Sequence, residues 1–164
     1  MRKVIILQGI SGAGKSTYFT KVVDSFTDVV MTFKKVSADD YFLKDGKYCF
    51  DVTKLGEAHS TCLRSYLEGL QGNVSLLVVD NTNTNAVDMA PYVALAQMKD
   101  YEVEIHRLEC PVDIAVKRNL HGTPRKVIEG MQYNLERFDR FAPRHWPKAI
   151  IIPYDEKHDE KKSG

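Results

Sequence analysis

The chain has 164 residues, 43% of them apolar and 27% charged, and a formal net charge of +1. This is the make-up of an ordinary globular domain with enough chain to bury a core, and it excludes collagen-like, low-complexity and highly charged disordered chains. A near-neutral total does not suggest a protein that coats long nucleic acid by bulk charge, and a local basic channel remains compatible with it.

The cysteines, Cys49, Cys62 and Cys110, are odd in number and widely spaced. Neither a disulfide framework nor a zinc site fits them, so they are expected as reduced thiols of a cytosolic protein. Met1-Arg2-Lys3 leads into only a short apolar run, which predicts neither a signal peptide nor a membrane span.

Residues 4–7 are that apolar run, the pattern of a strand buried on both faces. Directly after it, residues 9–16 read Gly-Ile-Ser-Gly-Ala-Gly-Lys-Ser, which matches the phosphate-binding loop G-x-x-x-x-G-K-[ST]. Gly9, Gly12 and Gly14 free the backbone to turn its N–H groups around polyphosphate oxygens. The helix starting near Lys15 aims the positive end of its dipole at the same anion. In this pattern Lys15 sits at the β- and γ-phosphates and the Ser16 hydroxyl ligates Mg²⁺, with Ser11, Ala13 and Thr17 completing the loop. A nucleoside triphosphate with magnesium follows; the motif does not say what receives the phosphate.

Residues 16–26 read as a helix with Phe19, Val22, Val23 and Phe26 on one face. A second strand over 29–36 ends in Ser37-Ala38-Asp39-Asp40-Tyr41. Two carboxylates are thereby placed at a strand's carboxyl end, where open α/β sheets bind ligands. Residues 44–52 suggest a loop or small hairpin around Asp45-Gly46. Thr53 is expected to cap a helix to about Leu70, with Leu55, His59, Cys62, Leu63, Tyr66 and Leu70 as its inward stripe and His59 partly buried. After the break at Gln71-Gly72-Asn73, a third strand over 75–79 runs into Asp80 and the polar loop Asn81-Thr82-Asn83-Thr84-Asn85. An apolar strand ending in Asp, some sixty residues after a phosphate loop, suits a carboxylate that orients Mg²⁺ or its water.

A helix over 86–99 contains Pro91, and Val103, Ile105 and Leu108 mark a fourth strand. Pro111 suits the first position of a short helix. That helix leads into the basic stretch Lys117-Arg118-Asn119-Leu120-His121-Gly122-Thr123-Pro124-Arg125-Lys126, the natural place for a lid over a triphosphate. The plain alternative is an exposed basic helix end that complements the dipole. A long helix over 124–140 faces Val127, Ile128, Met131, Leu135 and Phe138 inward, and a fifth strand covers 149–152. This alternation predicts an α/β fold: a parallel sheet of about five strands with helices on both faces. Residues 1–154 are expected to form one domain, and the all-polar stretch 155–164 a disordered tail.

Four stretches together, 9–17, 37–41, 79–83 and 117–124, resemble the P-loop 5′-hydroxyl polynucleotide kinases of bacteriophages and the small kinase-like P-loop domains related to them. The resemblance implies a three-layer P-loop kinase-like sandwich and transfer of the γ-phosphoryl group of ATP, with Mg²⁺, to the 5′-hydroxyl of an RNA or DNA end. It implies Asp39 as the general base, a role that suits a carboxylate within reach of an attacking alcohol. It implies Arg118, and after it Arg125, as lid arginines on the phosphates, and Asp80 as a water-mediated support of Mg²⁺. Asn81, Thr82 and Asn83 are the further acceptor-side candidates. The setting it implies is the cytoplasm of a bacterium or phage-infected cell, with no membrane partner. The phage enzymes place an arginine for the acceptor's phosphate where this chain has Phe42, an aromatic able to stack a base. His121 stands where a basic lid residue is expected. These departures keep two other readings open. One is a kinase for a hydroxylated base, a nucleoside or another small hydroxyl compound. The other is an ATP-binding module with little transferase activity.

Overall fold

A computed structural model of the protein describes residues 2–26 and 32–156. In chain order its first half holds β1 (Lys3–Gln8), α1 (Lys15–Phe26), β2 (Phe33–Val36), β3 (Leu43–Lys44), β4 (Lys47–Tyr48), α2 (Leu55–Gln71) and β5 (Leu76–Asp80). The second half holds α3 (Ala86–Met98), β6 (Glu102–Leu108), α4 (Val112–Arg118), α5 (Arg125–Phe141) and β7 (Ile150–Ile152). β1 is the central strand of a five-stranded sheet in the order β2-β5-β1-β6-β7, and every pairing in it is parallel.

Strand periodicity explains the layering. Val4 and Ile6 share one face of the sheet with Leu77 and Val79, and pack with Ala58, Cys62 and Tyr66 of α2 and Met89 and Val93 of α3. Ile5, Leu7, Leu76 and Val78 share the opposite face and pack with Val22 of α1. Each such fully buried aliphatic side chain contributes about 1.5–3 kcal/mol, which pins the register. That register sets Leu7 level with both Asp80 and His106. The loops after β1, β2, β5 and β6 therefore leave the sheet along one edge, at the switch point beside β1 where such sheets bind ligands.

Several sequence expectations shift. The strand expected over 29–36 is described only as Phe33–Val36, and 29–31 lie outside the described residues, as does the tail from 157. Thr53 does not cap α2. Its amide and hydroxyl bond to Asp51, which caps a short 3-10 turn ahead of the helix. The inward face of α2 is Ala58, Cys62, Tyr66, Gly69 and Leu70, so His59 is exposed rather than partly buried. Leu55 of the expected stripe is exposed too, and Gly69 packs close to Leu77, where an added Cβ would lie 2.5 Å from Leu77 Cδ2. On α5 Ile128, Leu135 and Phe138 are buried, whereas Val127 is exposed. The hairpin expected around Asp45-Gly46 forms as β3 and β4, with both turn residues at positive φ, 50° and 76°. Among the described residues, no helix is long and apolar enough to cross a membrane.

Candidate active site

The loop between β1 and α1 builds the floor of a cavity of about 680 Å³ at the carboxyl edge of the sheet. Ser11, Gly12, Ala13, Gly14, Lys15, Ser16 and Thr17 line it. Gly12 and Gly14 have φ of 82° and 92°, in the region that a Cβ disfavours. Gly9 does not line the cavity and acts within the scaffold: its N–H donates to Thr82 O, and its carbonyl accepts from Lys15.

The Lys15 ammonium donates to the carbonyls of Gly9 (3.0 Å) and Ile10 (2.9 Å). Burial pushes its pKa below the ordinary lysine value, and the carboxylates of Asp80 and Asp39 work in the other direction. A charge held this way, over a loop of turned amides, fits a polyphosphate, whose oxygens would offset the desolvation. Asp80 is buried at the end of β5, with Lys35 Nζ 3.8 Å from its carboxylate. Burial raises its pKa, while Lys15 and Lys35 pull it down. Ser16 and Asp80 line the same cavity, and Mg²⁺ bound with phosphates needs only one or two protein oxygens, so this pair fits that ion.

Asp39 lies on a 3-10 turn, Ala38–Phe42, immediately after β2. Ser37 caps that turn, its hydroxyl accepting from Asp39 N. The Asp39 side chain is exposed at the cavity wall and is held by two partners that sequence reasoning missed. Tyr48 of β4 donates its hydroxyl to Asp39 Oδ1 at 3.1 Å. His121 Nε2, from the segment after α4, lies 3.8 Å from Asp39 Oδ2, and its ring packs on Tyr48 at 4.0 Å. Burial, then the Asp39 charge and hydrogen bond, push the Tyr48 hydroxyl well above its ordinary pKa, so it stays a donor. Only the departure at His121 hinted at this cluster; no local pattern signals Tyr48.

The Asn-Thr-Asn stretch after β5 is mostly scaffold. Asn81 accepts from Ala38 N (2.8 Å) and reaches Cys62 and Tyr92 with its amide, tying the Asp39 turn to β5. Asn83 is buried, donating to Leu7 O and accepting at its carbonyl from Gln8, and is thus withdrawn from any acceptor. Thr82 and Asn81 line the cavity. Phe42 is corrected outright: it is 2% exposed, packed against Tyr41, Tyr48 and Phe50, and has no free face for a base.

At the other side, Arg118 at the end of α4 comes over the loop. Its Nη1 would lie 3.6 Å from a Cβ added to Gly14, and its guanidinium packs over the Tyr154 ring at 5.4 Å. Lys117, Asn119, Leu120 and His121 line the same wall. Arg125 is corrected: it is paired with Asp113 and Glu129 on the outer surface and does not line the cavity. Sequence reasoning also missed Tyr18, Lys21 and the stretch 152–155 from the end of β7 onward, all of which line the cavity, including Asp155 from the expected tail.

The chain is 36% identical over 145 residues to human NEDD4-binding protein 2, covering 85% of the chain and 8% of that protein. It is 27% identical over 173 residues to a putative bifunctional polynucleotide kinase/RNA ligase of Autographa californica nuclear polyhedrosis virus, covering 94% of the chain and 24% of that protein. The chain thus spans a small part of each of these two relatives. A structure of the Pnkp1/Rnl/Hen1 RNA repair complex superposes with a TM-score of 0.63 at 20% identity, over 85% of this chain and 45% of that one. The Mycobacterium tuberculosis APS kinase CysC, solved with AMPPNP and APS, superposes with a TM-score of 0.60 at 16% identity, over 99% and 94%. The profile of the AAA domain family matches residues 4–142, from β1 through α5. The chain therefore belongs to the AAA domain family, and its parallel sheet, phosphate loop and helices form a P-loop kinase-like α/β fold.

Proposed function

We propose that this protein is an ATP- and Mg²⁺-dependent kinase that transfers the γ-phosphoryl group to the 5′-hydroxyl of an RNA or DNA end. The observation that carries the reading is the placement of Asp39: an exposed carboxylate on the wall of the cavity whose floor is the phosphate loop. The viral relative, described as a putative polynucleotide kinase/RNA ligase, supports the choice of acceptor. In this reading the loop amides and Lys15 hold the β- and γ-phosphates, and Arg118 closes over them from α4. Ser16 would hold Mg²⁺ directly and Asp80 through water; the ion, when bound, supplies charge neutralisation on the phosphates. Asp39 accepts the proton of the attacking hydroxyl, with Tyr48 fixing one carboxylate oxygen so that the other faces the alcohol. The site supplies alignment and electrostatics rather than covalent chemistry.

A small-molecule hydroxyl is the competing acceptor, favoured by the likeness to APS kinase over nearly the full length of both chains. The deciding experiment is transfer from γ-labelled ATP to a 5′-hydroxyl RNA, the matching DNA and free nucleosides. Label on the oligonucleotide 5′ end is expected, with Asp39→Asn lowering kcat by about 10²–10⁴-fold, the range for a lost general base, and leaving ATP affinity nearly intact. Equal labelling of nucleoside and oligonucleotide would favour the small acceptor. ATP binding without transfer to any of them would favour a binding module. Normal turnover by Asp39→Asn would remove that residue from the base's role.

A further inference from the structure

The acceptor-stacking role expected of Phe42 has no place in the core, yet the surface directly outside it has what such a role requires. Phe50 packs one side of its ring on Phe42 (centroids 5.1 Å) and remains 53% exposed. Its plane lies within 12° of that of Tyr48, at 6.4 Å. Tyr48 in turn holds Asp39, so the exposed ring is one residue removed from the candidate base. Val52, two residues on, and Leu43, paired with Tyr48 across the hairpin, are exposed as well, at 66% and 57%.

The same hairpin carries two facing cations, one of which, Lys44, also acts on the Asp51 carboxylate. Lys44 and Lys47 are directly paired across the two strands, and both are exposed. Like charges opposite one another destabilise a hairpin, and among the described residues neither ammonium is in an ion pair. Asp45 occupies the turn between them, and Asp51 is committed to the Thr53 amide and hydroxyl. A braced aromatic ring next to a hairpin tip that carries two facing cations is chemistry that binds a single-stranded polynucleotide: a base stacks on the ring while backbone phosphates contact the lysines.

We propose that the β3–β4 hairpin and Phe50 form the docking surface for the polynucleotide strand behind its reacting 5′ end, with Phe50 stacking a base and Lys44 and Lys47 contacting backbone phosphates. This rests on the polynucleotide reading above. A small acceptor held within the cavity would leave the Phe50 ring and both lysines uncovered, so the surface separates the two acceptors.

The chain contains its own probe. Cys49 lies between Tyr48 and Phe50 and is exposed, whereas Cys62 and Cys110 are buried. In the unaltered protein, a short 5′-hydroxyl oligonucleotide is expected to slow alkylation of Cys49 by N-ethylmaleimide at least about fivefold, as read by mass spectrometry. ATP with Mg²⁺, or a free nucleoside, is expected to leave that rate unchanged. Phe50→Ala is expected to raise KM for the oligonucleotide about tenfold, the size of one lost base–aromatic stack, with KM for ATP unchanged. The pair Lys44→Ala and Lys47→Ala is expected to lower the slope of log affinity against log salt by about 1.4, or about 0.7 per phosphate contact on a single strand. If the oligonucleotide is labelled but Cys49 reacts at its unprotected rate and the three substitutions leave its KM alone, the docking surface is wrong and the kinase reading stands. If Cys49 is protected but no label is transferred, the surface stands and the transferase reading falls. If neither protection nor labelling occurs, both fall.

Discussion

Lys15 shows how a single residue can be paid for by ligand rather than by fold. Its ammonium is enclosed by the loop, with carbonyl oxygens for partners and two carboxylates at longer range. Burial lowers its pKa below the unfolded value of 10.5, so the folded chain holds this proton less tightly than the unfolded chain does. The sign follows. The burial penalty is fully present below the lowered folded value and fades as pH rises through it towards 10.5. Lys15→Met removes the buried charge at similar volume. The thermal midpoint of the free protein is expected to stay level or rise, while the stabilisation by ATP with Mg²⁺ disappears. A midpoint well below that of the parent protein would mean that the two carbonyl contacts outweigh the desolvation. Phe42 and Asp39 teach a related lesson. They are three residues apart on one 3-10 turn, a spacing that eclipses side chains, yet one is in the core and the other at the cavity wall; the turn's own period does not separate them, and the packing of Phe42 against Tyr41, Tyr48 and Phe50 does.

Among the elements, α4 and the phosphate loop are linked at one close contact. A Cβ on Gly12 would lie 2.1 Å from the Ala115 carbonyl, and Gly12 has φ of 82°. α4 ends at Arg118, so the glycine lets the helix sit where its last arginine reaches the loop. Gly12→Ala combines an unfavourable backbone conformation, about 1–3 kcal/mol, with a clash against backbone rather than a yielding side chain. Lower stability in urea and weaker nucleotide binding are expected together, since relieving the clash moves α4 and Arg118 away. Retained nucleotide affinity at reduced stability would uncouple the helix from the site. Helix rotation is the element-scale property that sequence periodicity resolved least well. Of the stripe expected on α2, Cys62, Tyr66 and Leu70 are buried, whereas Leu55 and His59 face outward.

Across the whole molecule, the parallel sheet is cross-braced by a polar chain that joins three elements. Lys3 of β1 bonds to Glu104 of β6, Glu104 accepts from His106 Nε2 at 2.8 Å, and His106 Nδ1 meets the Tyr18 hydroxyl of α1 at 2.8 Å. Burial opposes ionisation of Glu104, but the hydrogen bonds and charges of Lys3 and His106 outweigh it and hold the carboxyl below its ordinary value of 4.5. A depressed folded pKa contributes stability above the unfolded value and loses it as pH falls through the folded one. Glu104→Gln is therefore expected to be less stable than the parent protein at pH 7, with the difference closing as the pH falls below 4.5. Urea unfolding of both proteins across that range checks it; a gap that stays constant with pH would assign the loss to packing rather than charge. The brace also reaches function, because Tyr18 lines the cavity.

Residues 9–16, the order of strands and helices, the parallel sheet and the carboxylates at two strand ends were all legible in the chain, because each is written within a short window: a spacing of glycines, a periodicity, an apolar run closed by Asp. The structure alone decided that Arg118 reaches the loop while Arg125 is held away by Asp113 and Glu129. It alone withdrew Phe42 and Asn83 into the scaffold, brought Tyr48 and His121 to Asp39, and drew residues 152–155 to the cavity. Those outcomes depend on which surfaces meet when helices and strands pack. Residues 39, 48 and 121 become neighbours through burial of apolar faces on other elements, and no local pattern in the chain records that.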